Sequence, residues 1–444
     1  MPESNILLFN ICLYLCGTGL FSIKFGRLNL ATIGIFFYLM SSVFAFLYFK
    51  SDYFRMSISN VGKVTLEPLI WLFVFNVLLC AVLRKFEFPG TWLISNYNAK
   101  LIKKIHVFAI VVSFLIVIIN IVPAINNITN PNLKDLRDAT YLTGSLVKVS
   151  FVFSLLKRIF GGLSILLIVI PFFNVFVLKR INKLDLLSII IFFGLILCAI
   201  GAYISRGVIL LYSIDILLLL ICLRRFFEAK FFLKIIIWSF PLILGMALLF
   251  SAITSQRFDS HSSNGANLRY AGESQLNFAI MMYDKTNGMS LGYRSLPLFR
   301  RIIGLDYMGS HGSDKYKNLR FLDRIHPYPN YIFYSVGGTY YLDFGKLMPI
   351  LFLLIINLIL SKRKVNRGQA HFNFYNLILA VYIGRYVIAG QFYCQYANES
   401  GNFMFMYLFM LYIILKKSRC INYSPNIKKY GSNYKIMPKI KVRI

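Results

Sequence analysis

The chain has 444 residues, of which 58% are hydrophobic, and its mean hydropathy is +0.65. A soluble domain is usually about 45–50% apolar, so this composition excludes an ordinary soluble protein. The formal net charge of +31 comes from 48 Lys and Arg against 17 Asp and Glu. No soluble domain gathers these charges around aromatic residues, which argues against a nucleic-acid partner.

Apolar runs of the length that crosses a bilayer, about 20 residues, recur along the chain. They predict an all-α, polytopic integral membrane protein with about 11 transmembrane helices, in a range of about 10–12. We place these spans near residues 6–23, 29–49, 66–83, 106–125, 159–178, 186–204, 207–223, 232–253, 347–360, 373–390 and 401–415. The residues before the first run, MPESN, include no Lys or Arg, so we interpret that run as a retained span rather than a signal peptide.

Four regions follow from this pattern: a transmembrane bundle over 1–253, a long polar loop over 254–346, about three helices over 347–415 and a basic tail over 416–444. With the N-terminus outside, the inner connectors and the tail hold 27 Lys and Arg but three acids. The other 21 basic residues accompany 14 acids, so the outer segments are nearly balanced. The positive-inside rule therefore places the loop outside and the C-terminus inside.

The interval from Thr254 to Tyr341 is the one long polar segment, and it contains three of the five His. A loop of this length is uncommon unless it is functional or disordered, and its many aromatic residues argue against disorder. We therefore expect the functional site in this interval, presented by the membrane helices. Residues 330–341 are a candidate re-entrant or interfacial segment before the next span.

Several common kinds of site are excluded by their motifs. The chain has no GxxxxGK[ST], no strand-linked GxGxxG, no HExxH and no GxSxG. No CxxC pair or His–Cys cluster has the spacing of metal ligands. The sequence thus predicts neither a cofactor nor a metal, and an activated substrate would have to bring its own leaving group.

Three charged residues lie at or within apolar runs, where a charge is costly and is a functional candidate. Arg206 stands in the tight ISRG corner between two spans, and we favour a function for it narrowly over snorkelling to the interface. Asp215 and Arg385 lie inside apolar runs. They either pair with each other as structural groups or act directly, and the sequence does not choose between these alternatives.

The long loop combines arginines, carboxylates and aromatic residues. The planar fork of arginine suits phosphate, and aromatic rings suit sugars. This composition favours an anionic, glycosylated ligand, with an ordinary solvated loop as the alternative.

Three stretches of the loop resemble a known family: RYAGESQLNF (269–278), LGYRSLPLFRRIIG (291–304) and HPYPNYIFYSVGGTYYLDFGKL (326–347). They are similar to the outer-loop pattern of the O-antigen polymerase (Wzy-type) family, the oligosaccharide repeat-unit polymerases of bacterial envelopes. The SRG corner at 205–207 also fits, and the most specific piece runs from Pro329 to Gly345. The layout of spans extends the resemblance over nearly the whole chain.

The resemblance implies a lipid-sugar-using, GT-C-like membrane glycosyltransferase of the bacterial inner membrane, with a periplasmic N-terminus and loop and a cytoplasmic C-terminus. Its donor and acceptor would be oligosaccharides on undecaprenyl diphosphate, and neither metal nor nucleotide would be required. Its partners would be these lipid-linked oligosaccharides and the bilayer, with a chain-length regulator as a further candidate. Three alternatives are a transporter or flippase of lipid-linked sugars, an O-antigen ligase with the same donor, and an acyltransferase, for which no motif is present.

The predicted catalytic residues are Arg206, Arg269, Glu273 and His326, and the predicted substrate-binding residues are Tyr270, Arg294, Arg300, Arg301, Asn330 and Asp343. Fixed cations on a leaving diphosphate are each worth about 10²–10³ in rate, and a base for the attacking hydroxyl about 10²–10⁴. We favour Glu273 over His326 as the base, because Arg269 one turn earlier would keep its carboxylate ionised. A plain i,i+4 ion pair is the alternative for these two residues. Asn330 and Asp343 either bind sugar hydroxyls or hold the loop.

Overall fold

The structure, a computed structural model, describes residues 1–27, 29–52, 54, 62–86, 88, 94–95, 98–130, 135–136, 160–203, 206–226, 263–283, 288–304, 334–362, 372–392, 394 and 399–416. The predicted span over 232–253 and the basic tail beyond residue 416 lie outside these residues.

Almost all of the described chain is helical, which confirms the predicted all-α class. The α-helices are α1 (Glu3–Phe25), α2 (Leu30–Lys50), α3 (Leu66–Val82), α4 (Ala99–Ile128), α5 (Leu166–Phe176), α6 (Lys183–Tyr203), α7 (Arg206–Leu223), α8 (Ser263–Asn277), α9 (Pro297–Ile302), α10 (Ser335–Phe344), α11 (Met348–Lys362), α12 (Phe374–Ala389) and α13 (Glu399–Lys416). Short 3-10 segments flank three of them at Leu83–Lys85, Gly161–Ile165 and Arg224–Phe226, and a π-helical turn, Phe278–Met282, follows α8. Two strands of two residues each, β1 (Ile94–Ser95) and β2 (Phe372–Asn373), pair in parallel.

Six helical stretches in the described part are long and apolar enough to cross a membrane. They are Glu3–Phe25, Leu30–Lys50, Leu66–Lys85, Ala99–Ile128, Lys183–Ala202 and Gly207–Phe226. The pair α10–α11 would add a seventh, bent by 113° at its break, and shorter apolar helices cover Gly161–Phe176, Phe374–Ala389 and Gly401–Leu415. The protein is therefore an all-α membrane protein, while the predicted number of about 11 spans stays a prediction.

The helices define two ends of the bundle. Four residues separate the end of α1 from the start of α2, and a Cβ atom on Gly34, near the start of α2, would lie 3.1 Å from Sγ of Cys80, near the end of α3. Helices α1 and α3 therefore start at the same end of the bundle. The indole of Trp71, near the start of α3, donates to the carbonyl of Lys346 in the turn between α10 and α11. We call this end, with the 288–304 segment beside it, the loop end, and the opposite end the connector end.

Asparagine side chains cap three of the helices at the connector end. The Asn29 side chain accepts from the Ala31 N–H at 2.8 Å, that of Asn98 from Leu101 at 3.1 Å and that of Asn373 from Asn376 at 3.2 Å. Each cap satisfies one of the backbone donors that a helix start leaves open. These caps set where α2, α4 and α12 begin.

An aromatic cluster joins the connector ends of several helices around the short strand pair. The Phe372 ring of β2 lies 5.6 Å from that of Phe173, 5.3 Å from that of Phe226 and 5.5 Å from that of Phe88. The Phe173 ring also meets Phe374 at 4.6 Å, edge to face. Such pairs add about 0.5–1.5 kcal/mol each beyond the burial of apolar area.

Part of the predicted polar interval 254–341 forms helix α8. The described parts of this interval are mostly helical, and α8 packs directly against α2. The contact occurs at Gly272, where a Cβ atom would lie 2.5 Å from backbone atoms of Phe44 and Ala45. Hydropathy could not reveal α8 because four of its buried residues, Glu273, Ser274, Gln275 and Asn277, are polar.

A buried ion pair links α7 to α12. An Nη1 atom of Arg385 lies 3.1 Å from Oδ2 of Asp215, whose side chain is wholly inaccessible. The Arg385 guanidinium also lies 5.3 Å from the ring centre of Tyr212. The structure thus confirms the alternative in which these two intramembrane charges pair with each other.

Replacing Gly272 by Ala should lower the thermal stability, because the added methyl would meet α2 backbone that no side-chain rotation can move. Overpacking of this kind costs about 1–3 kcal/mol. The measurement is thermal unfolding of the purified protein in detergent, with Gly19→Ala as the control, since a Cβ there meets nothing within 4 Å. Equal melting temperatures for the two variants would contradict the close contact.

Asp215→Asn and Arg385→Gln should each destabilise the protein, because each leaves one buried charge unmatched, at a cost of about 3–5 kcal/mol. The double variant should lose clearly less than the sum of the two single losses. Thermal unfolding of the four proteins at one pH measures this coupling. Strictly additive losses would mean that the pair contributes no mutual stabilisation.

Candidate functional site

Helix α8 is held by hydrogen bonds to three neighbouring parts of the bundle. The Asn10 side chain of α1 donates to Oε1 of Gln275 at 2.9 Å, and the Ser41 hydroxyl of α2 donates to the Ala271 carbonyl at 3.3 Å. The Ser274 hydroxyl donates to the Gln391 carbonyl, just after α12, at 2.5 Å. Buried polar groups are costly unless they are paired, so these bonds are what allow a polar helix to sit in an apolar bundle.

Arg269 and Glu273 form an i,i+4 ion pair on α8. Nε of Arg269 donates to Oε2 of Glu273 at 2.6 Å. The arginine side chain keeps 34% of its accessible surface, whereas the glutamate side chain keeps 5%. The carboxylate is therefore buried behind a guanidinium that reaches the surface.

Burial raises the pKa of Glu273 above its ordinary value, and Arg269 together with a hydrogen bond from Asn277 opposes this rise without cancelling it. Arg269 favours the ionised carboxylate, as expected from the sequence, but desolvation is the larger effect on the pKa of Glu273. A carboxylate with a raised pKa is a better match to proton transfer near neutral pH than an ordinary glutamate.

Asp343, near the end of α10, holds the segment 290–295. Its Oδ1 accepts from the Ser290 hydroxyl and, at 3.1 Å, from the Arg294 N–H. Its Oδ2 accepts from the Ser295 N–H at 2.7 Å and from the Ser295 hydroxyl at 2.6 Å. The side chain is fully buried, so these contacts support loop holding, the second of the two roles considered for Asp343.

The three arginines of the 288–304 segment have different surroundings. Nη1 of Arg300 donates to the Leu291 carbonyl at 2.7 Å and to the Ser290 carbonyl at 3.2 Å, which ties α9 back to the segment that Asp343 holds. The Arg294 guanidinium lies 5.2 Å from the ring centre of Tyr334, at the start of α10. Arg301 is exposed on α9. Of the three, Arg301 presents most of its side chain to the surroundings.

The N-terminus of α10 connects these two groups of residues. The Ser335 and Val336 N–H groups donate to the carbonyls of Phe392 and Gly390, at 3.2 and 2.7 Å. The neighbouring carbonyl, that of Gln391, accepts the bond from Ser274 on α8. The turn after α12 therefore anchors α8 and α10 together, and Tyr334 extends this contact to Arg294.

Gly345 ends α10 with a left-handed backbone, φ +74°, and a Cβ there would lie 2.7 Å from the methyl carbon of Met289. Glycine is the residue that adopts this conformation without a steric cost. The sharp corner between α10 and α11 depends on it, and so does the position of Asp343 two residues earlier.

The remaining predicted site residues are only partly described. Tyr270 lies half-buried next to Arg269 on α8. Arg206 is the first residue of α7, but its side chain lies outside the described part, as do His326 and Asn330 altogether. The structure thus brings together Arg269 and Glu273 in one place, and Arg294, Arg300 and Asp343 in another. The choice of Glu273 over His326 stays a prediction.

Sequence reasoning missed several residues that position this region. The Asn402 side chain of α13 accepts from the Leu298 N–H at 3.1 Å and donates to the Ser295 carbonyl at 3.0 Å, which docks α9 on α13. Gln275, Ser290 and Ser295 also position this region, through the hydrogen bonds described above. Short polar side chains are common in loops and helices, and no spacing in the sequence distinguishes these.

The described residues contain no group of three or more His, Cys, Asp and Glu side chains placed to hold a metal ion. What the region does offer is a buried carboxylate, surface guanidinium groups and aromatic rings at one end of a membrane bundle. This combination can bind an anionic group at the membrane boundary and accept a proton from a ligand hydroxyl.

Comparison with known proteins found no matching family model, no matching curated protein and no matching solved structure.

Asp343→Asn should release the 288–296 segment, because an amide nitrogen cannot accept the bonds that Ser295 donates. Each buried donor left unmatched costs about 1–3 kcal/mol. Hydrogen exchange should show faster exchange at Ser290 to Ser295 with little change in α4 or α6. Asp52→Asn, at an exposed position, is the matched control, and unchanged exchange in Asp343→Asn would contradict the holding role.

Proposed function

We propose that this protein is a membrane glycosyltransferase that joins lipid-diphosphate-linked oligosaccharides, acting as a repeat-unit polymerase of the bacterial inner membrane. The growing chain would leave its undecaprenyl diphosphate as a hydroxyl of a fresh lipid-linked unit attacks the anomeric carbon. The family resemblance of the 269–278, 291–304 and 326–347 stretches suggests this reaction, and the excess of basic residues on the connector side favours a periplasmic loop end.

The observation that carries the proposal is the Glu273 carboxylate, buried on a polar helix inside an apolar bundle and paired with a surface arginine. A polar helix in such a place costs free energy, and membrane proteins keep such groups mainly for function. Glu273 would accept the proton of the attacking hydroxyl. Its burial supports this role, because the raised pKa makes the carboxylate a stronger base.

We assign different roles to the arginines according to how exposed each one is and what it contacts. Arg269 and Arg301 would meet the diphosphate, since both present side chain at the surface. Arg300 is bound to loop carbonyls, so we assign it, with Asp343, to positioning the segment that bears Arg301. Arg206 remains a proposed phosphate ligand, since it begins α7 at the loop end of the bundle.

A ligase would use the same donor and the same base, and it differs only in the acceptor. A flippase would move the lipid without breaking the glycosidic bond. One reconstitution experiment separates these activities from polymerisation.

The test uses purified protein in proteoliposomes with undecaprenyl-diphosphate-linked oligosaccharide isolated from a strain that lacks the protein. Polymerisation should give a ladder of lengthened lipid-linked products on gels, in the presence of EDTA and without nucleotide. Glu273→Gln should reduce the ladder by about 10²–10⁴-fold, whereas Glu67→Gln, an exposed carboxylate at the same end, should retain it. Intact single units after incubation with folded wild-type protein would overturn the proposal.

The pH dependence gives a second readout for Glu273. The active form is the carboxylate, so the rate should fall as pH drops through its raised pKa. Arg269→Gln removes the charge that lowers this pKa, so the acid limb should move to higher pH in that variant. The measurement is the initial rate of chain lengthening between pH 4 and 9 in about 1-unit steps. An acid limb at the same pH in both proteins would show that another group accepts the proton.

A further inference from the structure

A pocket lies at the connector end, far along the helices from Glu273. It has a volume of about 50 Å³ and is lined by residues at the ends of four helical stretches. Phe25 and Asn29 come from the α1–α2 turn, Phe86 and Phe88 follow the 3-10 turn after α3, and Arg224 and Arg225 follow α7. A water needs about 10–15 Å³ on such a measure, so the space admits a small polar group. We call it the connector-end pocket.

The charged side chains that line this pocket are basic. Its charged lining residues in the described chain are two arginines, Arg224 half-buried and Arg225 exposed, and none of the lining residues there is acidic. The Asn29 side-chain oxygen is occupied by the α2 cap. Two arginines that line one pocket are suited to a phosphate, because each guanidinium can donate forked hydrogen bonds to its oxygens.

Apart from Asn29, the rest of the lining is apolar. Phe88 belongs to the aromatic cluster around Phe372, and the other apolar lining residues are Phe25, Leu30, Phe86, Ile221 and Cys222. A phosphate alone would make little use of such a wall, whereas the glycerol and first acyl carbons of a lipid would lie against it.

The position along the membrane also favours a lipid. The pocket lies where four candidate spans begin or end, which is the level of the headgroups; they are Glu3–Phe25, Leu30–Lys50, Leu66–Lys85 and Gly207–Phe226. On α1, Leu20 and Ile23 expose 67% and 86% of their surface near the same end, so apolar side chains that acyl chains can contact lie close to the pocket level. Basic pockets between membrane helices on the cytoplasmic side are suited to anionic headgroups.

We propose that the connector-end pocket binds the phosphate of an anionic glycerophospholipid through Arg224 and Arg225. This site is separate from the proposed glycosyl transfer and needs none of its residues. Bound lipid would join the ends of α1, α3 and α7, and it would stabilise the folded protein by mass action.

The experiment measures phosphatidylglycerol binding to the full chain in detergent, by native mass spectrometry and by the rise in melting temperature. Arg224→Gln with Arg225→Gln should weaken binding by about tenfold or more. The matched control is Lys103→Gln with Lys104→Gln, which removes the same charge from exposed positions at the same end and should bind as the wild type does. Phosphatidylcholine and inorganic phosphate serve as the other ligands, and both should bind weakly.

Several outcomes would overturn the proposal. Equal loss in the two double variants would indicate attraction by overall surface charge, and equal binding of inorganic phosphate would indicate a site for the free ion. Equal stabilisation by phosphatidylcholine would show that the headgroup charge is irrelevant. If the arginine double variant does not fold, Arg225→Gln alone, at an exposed position, should still weaken binding, and wild-type binding by that variant would remove the pocket as the site.

Discussion

The burial of a polar helix between membrane helices is the constraint on which the loop end depends. Glu273, Ser274, Gln275 and Asn277 of α8 are all at most 3% exposed, in a bundle whose core is largely apolar. Such groups are tolerated only where protein supplies their hydrogen bonds. Asn10 bonds Gln275, the turn after α12 bonds Ser274, and Ser41 bonds the Ala271 carbonyl, so three helices are tied to α8 by hydrogen bonds.

The same turn after α12 also receives the start of α10, and through α10 it reaches the segment that Asp343 holds. Helix α8 and the segment that Asp343 holds are therefore both anchored to the turn after α12. The proposed base on α8 and the proposed cations on 294–301 can keep a fixed relation because neither stands on an independent loop. Fixed placement of charges is what makes electrostatic stabilisation of a leaving group effective, since no reorganisation is needed during the reaction.

The sequence predicts the membrane helices well, because a span must bury its surface in lipid and this requires an apolar run. Every predicted run within the described part coincides with a helix, and the pairing of Asp215 with Arg385 was one of two stated alternatives. The sequence left the helicity of residues 263–277 open, because four of the buried residues of α8 are polar and neither hydropathy nor apolar periodicity marks such a helix. The partners of Asp343 were missed, since Ser290 and Ser295 acquire their meaning only from a contact with a residue about 50 positions away.

The ion pair between α7 and α12 has a consequence for how the chain is made. Asp215 emerges from the ribosome 170 positions before Arg385. At a translation rate of about 5–20 residues per second, Arg385 is synthesised roughly 10–30 s after Asp215. During that interval a lone carboxylate in an apolar segment disfavours release into lipid. The late helix α12 thus completes the membrane integration of α7, so truncation before residue 385 would leave an early span exposed to quality control.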